Sequence, residues 1–250
     1  MTPDIRNPDR YRRQVSLPEI GWAGQDRLQA ARVLVVGVGG LGSVAAFYLA
    51  AAGVGRIGLL DHDTVDLSNL QRQILHATRD VGRRKVDSAA EKLRALNPDV
   101  RIEPRAERLT PENAAGLIAE WDFVLDATDN LEAKFLIAGA CHLARKPYSH
   151  AGITRFYGQT LTVLPGRTAC YRCVFQDRPP EEEALGEPEG PLGGVPGVIG
   201  SIQAAEAIKH IVGCGRLLTN RLLTFDALGM RFREVAVQRS ADCPLCGGAG

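Results

Sequence analysis

Residues 33–63, VLVVGVGGLGSVAAFYLAAAGVGRIGLLDHD, give the clearest indication of the fold. The stretch begins with four apolar residues, mostly β-branched, which is typical of a buried parallel strand. A glycine-rich turn follows at 37–42, then an alanine-rich helical run that stops at Gly53, and then a second apolar run that leads into Asp61. This order predicts a β-loop-α-β unit with glycines at the start of its helix.

The glycine-rich turn and the acidic strand end provide the first candidate site residues. Glycines at a helix N-terminus let backbone N–H groups approach a phosphate, and a carboxylate at the end of the second strand can accept hydrogen bonds from ribose hydroxyls. The candidates for nucleotide binding are Gly39, Gly40, Gly42 and Asp61. The pattern alone does not separate NAD from ATP, and the same glycines also suit close packing of a helix on a sheet.

The residues after the second strand favour a triphosphate over a dinucleotide. In a dehydrogenase we expect another apolar βαβ unit at this point. Instead residues 64–73 read TVDLSNLQRQ, a polar segment that carries Asn69, Arg72 and Gln73. Arginine neutralises phosphate charge and side-chain amides donate hydrogen bonds, so this segment suits a chain of phosphates.

Two further charged residues are candidates for contact with a phosphate-bearing ligand. Lys85 lies in the first turn of a helix predicted over 83–96, where a cation is disfavoured unless an anion lies nearby. Asp129 lies in a polar turn after the buried strand predicted at 123–126, and open α/β sheets bind ligands at such strand ends. The alternatives are an ordinary surface lysine and an aspartate that caps the helix starting at Asn130.

The cysteines form two Cys-x-x-Cys pairs, Cys170 with Cys173 and Cys243 with Cys246. Four thiolates at this spacing fit a tetrahedral structural zinc site, which leaves no open coordination position for catalysis. Because 69 residues, 174–242, separate the pairs, such a site would close a long loop. A redox dithiol at either pair is the alternative.

Composition and charge limit the classes of function. The 250 residues suit a single α/β domain over 1–250, and the net charge is +1, from 30 Lys and Arg against 29 Asp and Glu. This balance argues against a dedicated nucleic-acid binder, which usually has a large basic excess. The sequence has no long uninterrupted apolar run and no signal-peptide core, so we expect no membrane span and a cytoplasmic location. We also expect a mobile arm at 1–10 and a flexible loop, rich in Pro and Glu, at 176–196.

Further motifs run in order through nearly the whole chain. They are RYRRQ (10–14), GVGGLG (37–42), LLDHDTVDLSNLQRQ (59–73), GRRKV (82–86), DATDN (126–130), GVIGSIQAAEAIK (197–209) and the two Cys-x-x-Cys pairs. With these motifs the chain resembles the E1-like activating enzymes of the ThiF/MoeB/HesA family, most closely their molybdopterin-synthase adenylyltransferase (MoeB) type. The fold expected is a Rossmann-like, mostly parallel α/β sheet with helices on both faces, an antiparallel C-terminal extension and a structural zinc site.

The resemblance implies ATP-dependent adenylation of the C-terminal glycine of a small ubiquitin-like sulfur-carrier protein that ends in Gly-Gly. The cofactors it implies are ATP, Mg²⁺ and structural Zn²⁺, with Asp129 holding the Mg²⁺. It assigns phosphate contacts to Asn69, Arg72, Gln73 and Lys85. It also implies a homodimer, in which Arg13 reaches the ATP of the partner subunit, whereas composition alone makes residues 10–14 a solvated basic patch.

Some family members carry a cysteine in the loop over the carrier's tail, but this sequence has none between Cys173 and Cys214. That difference argues against a thioester step and leaves adenylation as the expected reaction, with sulfur supplied by a sulfurtransferase or a cysteine desulfurase. The carrier is open among molybdopterin, thiamin and tRNA-thiolation pathways. Adenylation of a tRNA-bound carboxylate or a peptide, and a non-catalytic nucleotide-binding module, are the alternatives.

Overall fold

The structure is a computed structural model, and it describes residues 7–175 and 190–247. These residues contain eight strands and eight α-helices. The strands are β1 (Arg32–Val36), β2 (Arg56–Leu60), β3 (Arg101–Arg105), β4 (Phe123–Asp126), β5 (Tyr148–Thr154), β6 (Tyr157–Val163), β7 (Arg221–Asp226) and β8 (Arg231–Ala236). The helices are α1 (Pro8–Val15), α2 (Gly21–Ala30), α3 (Gly40–Ala52), α4 (Lys85–Leu96), α5 (Pro111–Ala119), α6 (Leu131–Leu143), α7 (Tyr171–Val174) and α8 (Gly194–Val212).

The strands form one mixed sheet in the order β3-β2-β1-β4-β5-β6-β7-β8. Neighbours from β3 to β5 are parallel, and neighbours from β5 to β8 are antiparallel. Strands β2 and β3 lie on one side of β1, and β4 and all later strands lie on the other. The strand order therefore reverses between β1 and β4, and open α/β sheets bind ligands at such a switch point. The predicted fold class, a mostly parallel sheet with an antiparallel C-terminal extension, is confirmed.

Strands β1, β2 and β4 consist almost entirely of apolar residues, and such strands are stable only when helices cover both faces of the sheet. On one face α2, α3, α4 and α8 pack against a core that includes Val33, Val35 and Phe123. On the other face α5 and α6 pack against Leu34 and Val124, together with three of the paired cysteines. The glycine-rich turn therefore joins a strand buried on both sides to a helix whose Ala-rich surface allows close approach.

The ends of the chain's elements differ from the sequence prediction in three places. Helix α4 begins at Lys85, two residues after the start predicted at 83. Helix α1 begins at Pro8, so the expected arm at 1–10 is helical from that residue onward, and residues 1–6 lie outside the described part. Helix α8 begins at Gly194, before the end of the loop predicted at 176–196, of which residues 176–189 lie outside the described part. Pro196 is tolerated there because N–H groups in the first helical turn have no intrahelical acceptor. Within residues 7–175 and 190–247, no helix has the length and apolar character needed to cross a membrane.

Candidate active site

A cavity of ≈ 1360 Å³ opens at the carboxyl ends of β1, β2, β4 and β5. It has two ends, which lie on either side of β4. The glycine-turn end is formed by Gly37, Gly39, Gly40, Asp61, Asp63, Arg72, Gln73 and Lys85, and the histidine end by His150, Gly152, Gln159, Tyr171 and Thr224. The sequence predicted the first end almost completely and the second end not at all.

The glycine turn places the start of α3 against the cavity. Gly39 is the N-cap residue and Gly40 the first helical residue, so the N–H groups of the first turn have no intrahelical acceptor and are available to an anion. Val38 is held from two sides: its N–H donates to Asp61 Oδ2 at 2.7 Å, and its carbonyl oxygen lies 3.2 Å from His76 Nε2. The carboxylate of Asp61 therefore shapes the turn as well as lining the cavity.

Gly42 has a different role from the other two predicted glycines. It is not among the described residues that line the cavity. A Cβ at this position would lie 1.9 Å from the carbonyl oxygen of Gly37, which itself has φ +90°. Gly42 thus allows the close packing of α3 on the turn, which is the packing alternative that the sequence left open.

Lys85 lies at the glycine-turn end with only 7% of its surface exposed, so it is not an ordinary surface lysine. Its Nζ donates a 2.8 Å hydrogen bond to Asp63 Oδ2. Burial would raise the pKa of Asp63, but the hydrogen bond and charge of Lys85 outweigh it and lower that pKa. Lys85 is therefore held at the cavity wall by the carboxylate of Asp63, three residues beyond the end of β2.

The polar segment after β2 contributes two side chains to the cavity and one to its own turn. Arg72 and Gln73 line the cavity, and Gln73 is 5% exposed with no hydrogen-bond partner for its Oε1 among the described residues. Asn69 is not among the described residues that line the cavity, and its Oδ1 accepts a 3.2 Å hydrogen bond from the N–H of Asp66. In this structure Asn69 stabilises the turn that presents Arg72 and Gln73.

Asp129 is exposed and lines the cavity between its two ends. The alternative that it caps the next helix is wrong, because the N-cap residue of α6 is Asn130, whose Oδ1 accepts a 2.9 Å hydrogen bond from the N–H of Ala133. A carboxylate that lines the cavity at this place is the kind of ligand that Mg²⁺ uses beside phosphates.

A buried ionic network separates the two ends. Asp126, at the end of β4, is 1% exposed, and its Oδ2 lies 2.8 Å from His150 Nδ1. Lys134 Nζ lies 3.2 Å from Asp126 Oδ1 and also donates to the carbonyl oxygens of Thr128 at 2.7 Å and Ala151 at 2.6 Å. Burial would raise the pKa of Asp126, but the charge of Lys134 and the hydrogen bonds from His150 and Thr128 lower it to about 2. The hydrogen bonds of this network connect Asp126, the last residue of β4, with His150 and Ala151 of β5.

The four paired cysteines converge on the face of the sheet that carries α5 and α6. The sulfur–sulfur distances are 3.8 Å for Cys170–Cys173, 3.5 Å for Cys170–Cys243 and 3.4 Å for Cys173–Cys246, and all four sulfurs lie within 4.8 Å of one another. A tetrahedral zinc ion about 2.3 Å from each sulfur would place the sulfurs roughly 3.8 Å apart. The donor set therefore fits zinc, and its four ligands leave no open position.

Arg13 lies far from the cavity of its own chain. It is an exposed residue in the last turn of α1. This helix packs at the C-terminal end of α3, where the Tyr11 ring lies against Gly53. The cavity lies at the other end of α3, whose 13 residues span about 20 Å. The side chain of Arg13 cannot cover that distance.

Sequence reasoning missed four residues whose side-chain contacts fix the shape of the site. They are Asp63, His76, Lys134 and His150, each of which bonds a residue 8 to 38 positions away. The position of Lys134 on α6, eight residues beyond the end of β4, was the only available signal, because a helix that follows a strand packs back along it. The partners of the two histidines depend on the fold.

Comparisons with known proteins agree with this architecture. The model of the ThiF family matches residues 11–245. The sulfur carrier protein adenylyltransferase of Thermus thermophilus is 45% identical over 245 residues, which cover 96% of this chain and 90% of that protein. The adenylyltransferase and sulfurtransferase MOCS3 of Bos taurus is 48% identical over 240 residues, which cover 95% of this chain, and the chain spans only about half, 53%, of that protein. The crystal structure of E. coli MccB with ATP superposes with a TM-score of 0.85 at 25% identity, over 98% of this chain and 76% of that one.

Proposed function

The chain belongs to the ThiF family, and from that membership we propose that it adenylates the C-terminal glycine carboxylate of a small ubiquitin-like sulfur-carrier protein. The observation that carries the proposal is the glycine-turn end of the cavity. There the open N–H groups of α3, the buried ammonium of Lys85 and the side chains of Arg72 and Gln73 surround one space. The relative from Thermus thermophilus, similar along nearly its whole length, is named for this activity.

The reaction needs alignment and charge neutralisation more than acid–base chemistry. The carrier's carboxylate is already a nucleophile; it attacks the α-phosphorus of ATP, an acyl–O–P bond forms, and the bond to the β-phosphate breaks to release pyrophosphate. Lys85 and Arg72 would neutralise the phosphates, and Gln73 would donate hydrogen bonds to them. Asp61 would accept from the ribose, and Asp129 would hold the Mg²⁺ that accompanies the nucleotide.

The subsequent sulfur transfer would use a donor outside the adenylating site. The sequence has no cysteine between Cys173 and Cys214, and Cys141 is fully buried in α6. The acyl adenylate would therefore be attacked by a persulfide from a separate sulfurtransferase or cysteine desulfurase centre. Carriers of the molybdopterin, thiamin and tRNA-thiolation pathways are the candidates for the substrate.

Carrier-dependent exchange between ATP and pyrophosphate tests the reaction. We expect exchange with at least one carrier that ends in Gly-Gly, and mass spectrometry should show that carrier joined to AMP. The matched control is the same carrier without its last glycine, which should support no exchange. Binding of NAD instead of ATP, measured by calorimetry, would contradict the proposal. Exchange with a short peptide alone would favour the alternative substrate class.

A homodimer is part of the proposal, because Arg13 is too far from its own cavity to act there and would contact ATP only in the site of a second subunit. Arg13→Ala and Asp129→Asn should each be inactive alone. In a mixed dimer one of the two sites would combine an intact Arg13 with an intact Asp129, so mixing the variants after subunit exchange should restore part of the activity. No recovery in mixed dimers would refute a role for Arg13 in the partner's site.

We further propose that the four cysteines hold structural zinc. One zinc ion per chain is expected by metal analysis, and Cys246→Ser should lower both zinc content and the free energy of unfolding. Cys141→Ser is the matched control, since Cys141 lies outside the cluster. A protein that stays zinc-free yet fully stable when grown with zinc would contradict this assignment.

A further inference from the structure

A chain of buried hydrogen bonds leads from helix α4 to the glycine turn. Lys92 Nζ donates to Ser88 Oγ at 2.8 Å, and Ser88 Oγ lies 2.9 Å from His76 Nδ1. The other ring nitrogen of His76, Nε2, lies 3.2 Å from the carbonyl oxygen of Val38. Ser88 and Val38 are fully buried, and His76 is 6% exposed. None of these four is among the described residues that line the cavity, so the chain contacts the turn from the protein interior.

The two ends of this chain fix the direction of every hydrogen bond in it. The carbonyl oxygen of Val38 can only accept, so His76 Nε2 carries a proton and donates to it. Burial lowers the pKa of His76 despite the hydrogen bond to Val38, and the nearby charge of Lys92 lowers it further. The ring is therefore neutral at neutral pH, and Nδ1 accepts. Ser88 then donates its single hydroxyl hydrogen to Nδ1 and accepts from Lys92, whose ammonium group only donates.

Asp80 holds Lys92 in its place beside Ser88. Asp80 is fully buried, and its Oδ2 accepts from Lys92 Nζ and, at 2.7 Å, from the N–H of Ala77. Burial would raise the pKa of Asp80, but the hydrogen bonds from Lys92 and Ala77 outweigh it and lower that pKa to about 2. An ionised carboxylate has no hydrogen to donate, so Asp80 anchors the donor end of the chain.

Holding the carbonyl group of Val38 also aims the next N–H group. In a planar trans peptide unit the carbonyl oxygen and the N–H point in opposite directions. Because the Val38 carbonyl faces His76, the N–H of Gly39 points away from His76. Gly39 lines the cavity and is the N-cap residue of α3. Asp61 holds the N–H of Val38 in the preceding peptide unit, so side chains fix two adjacent peptide units of the turn.

We propose that Ser88 and Lys92 are positioning residues for the nucleotide, which act through His76 to fix the Val38–Gly39 peptide unit so that the Gly39 N–H faces the phosphates. The inference rests on the proposed function, because it takes ATP as the ligand of the glycine turn. Without Lys92, Ser88 Oγ is free to accept from Nδ1, and the ring then carries its proton there. Nε2 would turn a lone pair toward the Val38 carbonyl oxygen, and the repulsion would move that peptide unit.

The tautomer of His76 tests the first step. Long-range proton–nitrogen NMR spectra of the histidine rings report which nitrogen carries the proton, and the signals lost in His76→Phe assign this ring. We expect the Nε2–H form in the wild-type protein. Lys92→Met keeps a side chain of similar length without a donor and should show a measurable share of the Nδ1–H form. Asp87→Asn, which removes a charge at an exposed position of the same helix, is the matched control and should keep the Nε2–H form.

The affinity for ATP tests the second step. Ser88→Ala and Lys92→Met should each raise the dissociation constant for ATP about 3-fold in calorimetry, in line with one ordinary hydrogen bond. The carrier KM at saturating ATP should stay at the wild-type value. In a His76→Phe background neither change should raise the dissociation constant further, because all three act through the same ring. Asp87→Asn should bind ATP like the wild-type protein.

Several results would overturn the inference. One is the Nδ1–H form in the wild-type protein, a measurement that needs no folded Lys92 variant. Another is a wild-type dissociation constant for ATP in both Ser88→Ala and Lys92→Met. A full further rise in the His76→Phe background would show that the two residues bypass the ring, and a raised carrier KM would assign them to the fold at large. Absence of ATP binding by the wild-type protein would instead refute the proposed function.

Discussion

The two ends of the cavity are built in different ways. The glycine-turn end comes from consecutive pieces of chain: a strand, its turn, the next strand end and the segment that follows. The histidine end comes from three strands whose contributing residues, His150, Gln159 and Thr224, meet only through antiparallel pairing. The first is rich in cations and open N–H groups, and the second in neutral polar groups on a sheet surface.

The proposed function requires one cavity to take two chemically unlike substrates. Phosphate binding uses backbone N–H groups and charge, which a short local motif can supply. Binding of an extended peptide uses side chains that share a face of a sheet, which requires that the sheet be assembled first. Asp126 and Lys134 lie between the two, and they fix the ends of β4 and β5 relative to each other.

The largest effect is expected where the two ends meet. Asp129→Asn removes the charge of the proposed Mg²⁺ ligand without changing its size, and it should lower exchange activity on the order of 10²–10³-fold while ATP still binds. Glu132→Gln, which removes a carboxylate from the same cavity wall, is the matched control and should stay near wild type. Full exchange in Asp129→Asn would show that the carboxylate serves neither end.

Gly42, which packs α3 on the glycine turn, and Gly152, at the histidine end, should respond differently to alanine. Gly42→Ala places a Cβ 1.9 Å from a backbone oxygen, so we expect the free energy of unfolding to fall by about 3 kcal/mol, with loss of ATP binding. Gly152→Ala makes contacts of 3.5 Å and longer and should leave that free energy nearly unchanged. Urea unfolding measures both. Gly139→Ala, on a helix with no atom within 4 Å of the new Cβ, controls for the substitution itself.

Acid should weaken the ionic network of Asp126, which lies between the glycine-turn end and the histidine end of the cavity. The pKa of Asp126 is about 2 in the folded protein, below its ordinary 3.8, so the folded state binds fewer protons than the unfolded state in this range. The stabilisation is complete above about pH 4 and is lost as the pH falls toward 2, on the order of 2 kcal/mol in total. Urea unfolding between pH 5 and 2.5 should show a shallower pH dependence for Asp126→Asn. Identical slopes would contradict the lowered pKa.

The smallest effect should come from a residue that only supports the glycine turn. His76→Phe fills the same space but removes the contacts of His76 with Val38 and Ser88, so the turn should loosen. We expect ATP affinity to fall about 3- to 10-fold, corresponding to one or two ordinary hydrogen bonds. The carrier KM at saturating ATP should not change. Calorimetry with ATP measures the first value, and an unchanged affinity would show that the turn holds its shape without His76.

The sequence predicted most of the parallel half of the fold. Strand, turn and helix follow one another there within about 30 residues, so local patterns carry the information, and Lys85, Arg72, Gln73 and Asp61 were identified with the correct elements. It also identified the cysteines as one cluster, because the Cys-x-x-Cys spacing is a local signal even when the two pairs lie far apart.

Residue type and short spacing were enough to predict which side chains could contact phosphate and which cysteines could act as thiolate ligands of a metal. The three-dimensional arrangement was needed to show that Gly42 packs rather than lines the cavity, that Asn69 supports its own turn, and that Asn130, not Asp129, caps α6. It alone placed His150 against Asp126, and Gln159 opposite Gly152. The reason is that strand register and burial arise from contacts between distant segments, and a hydrogen bond across 24 residues leaves no periodic trace in the chain.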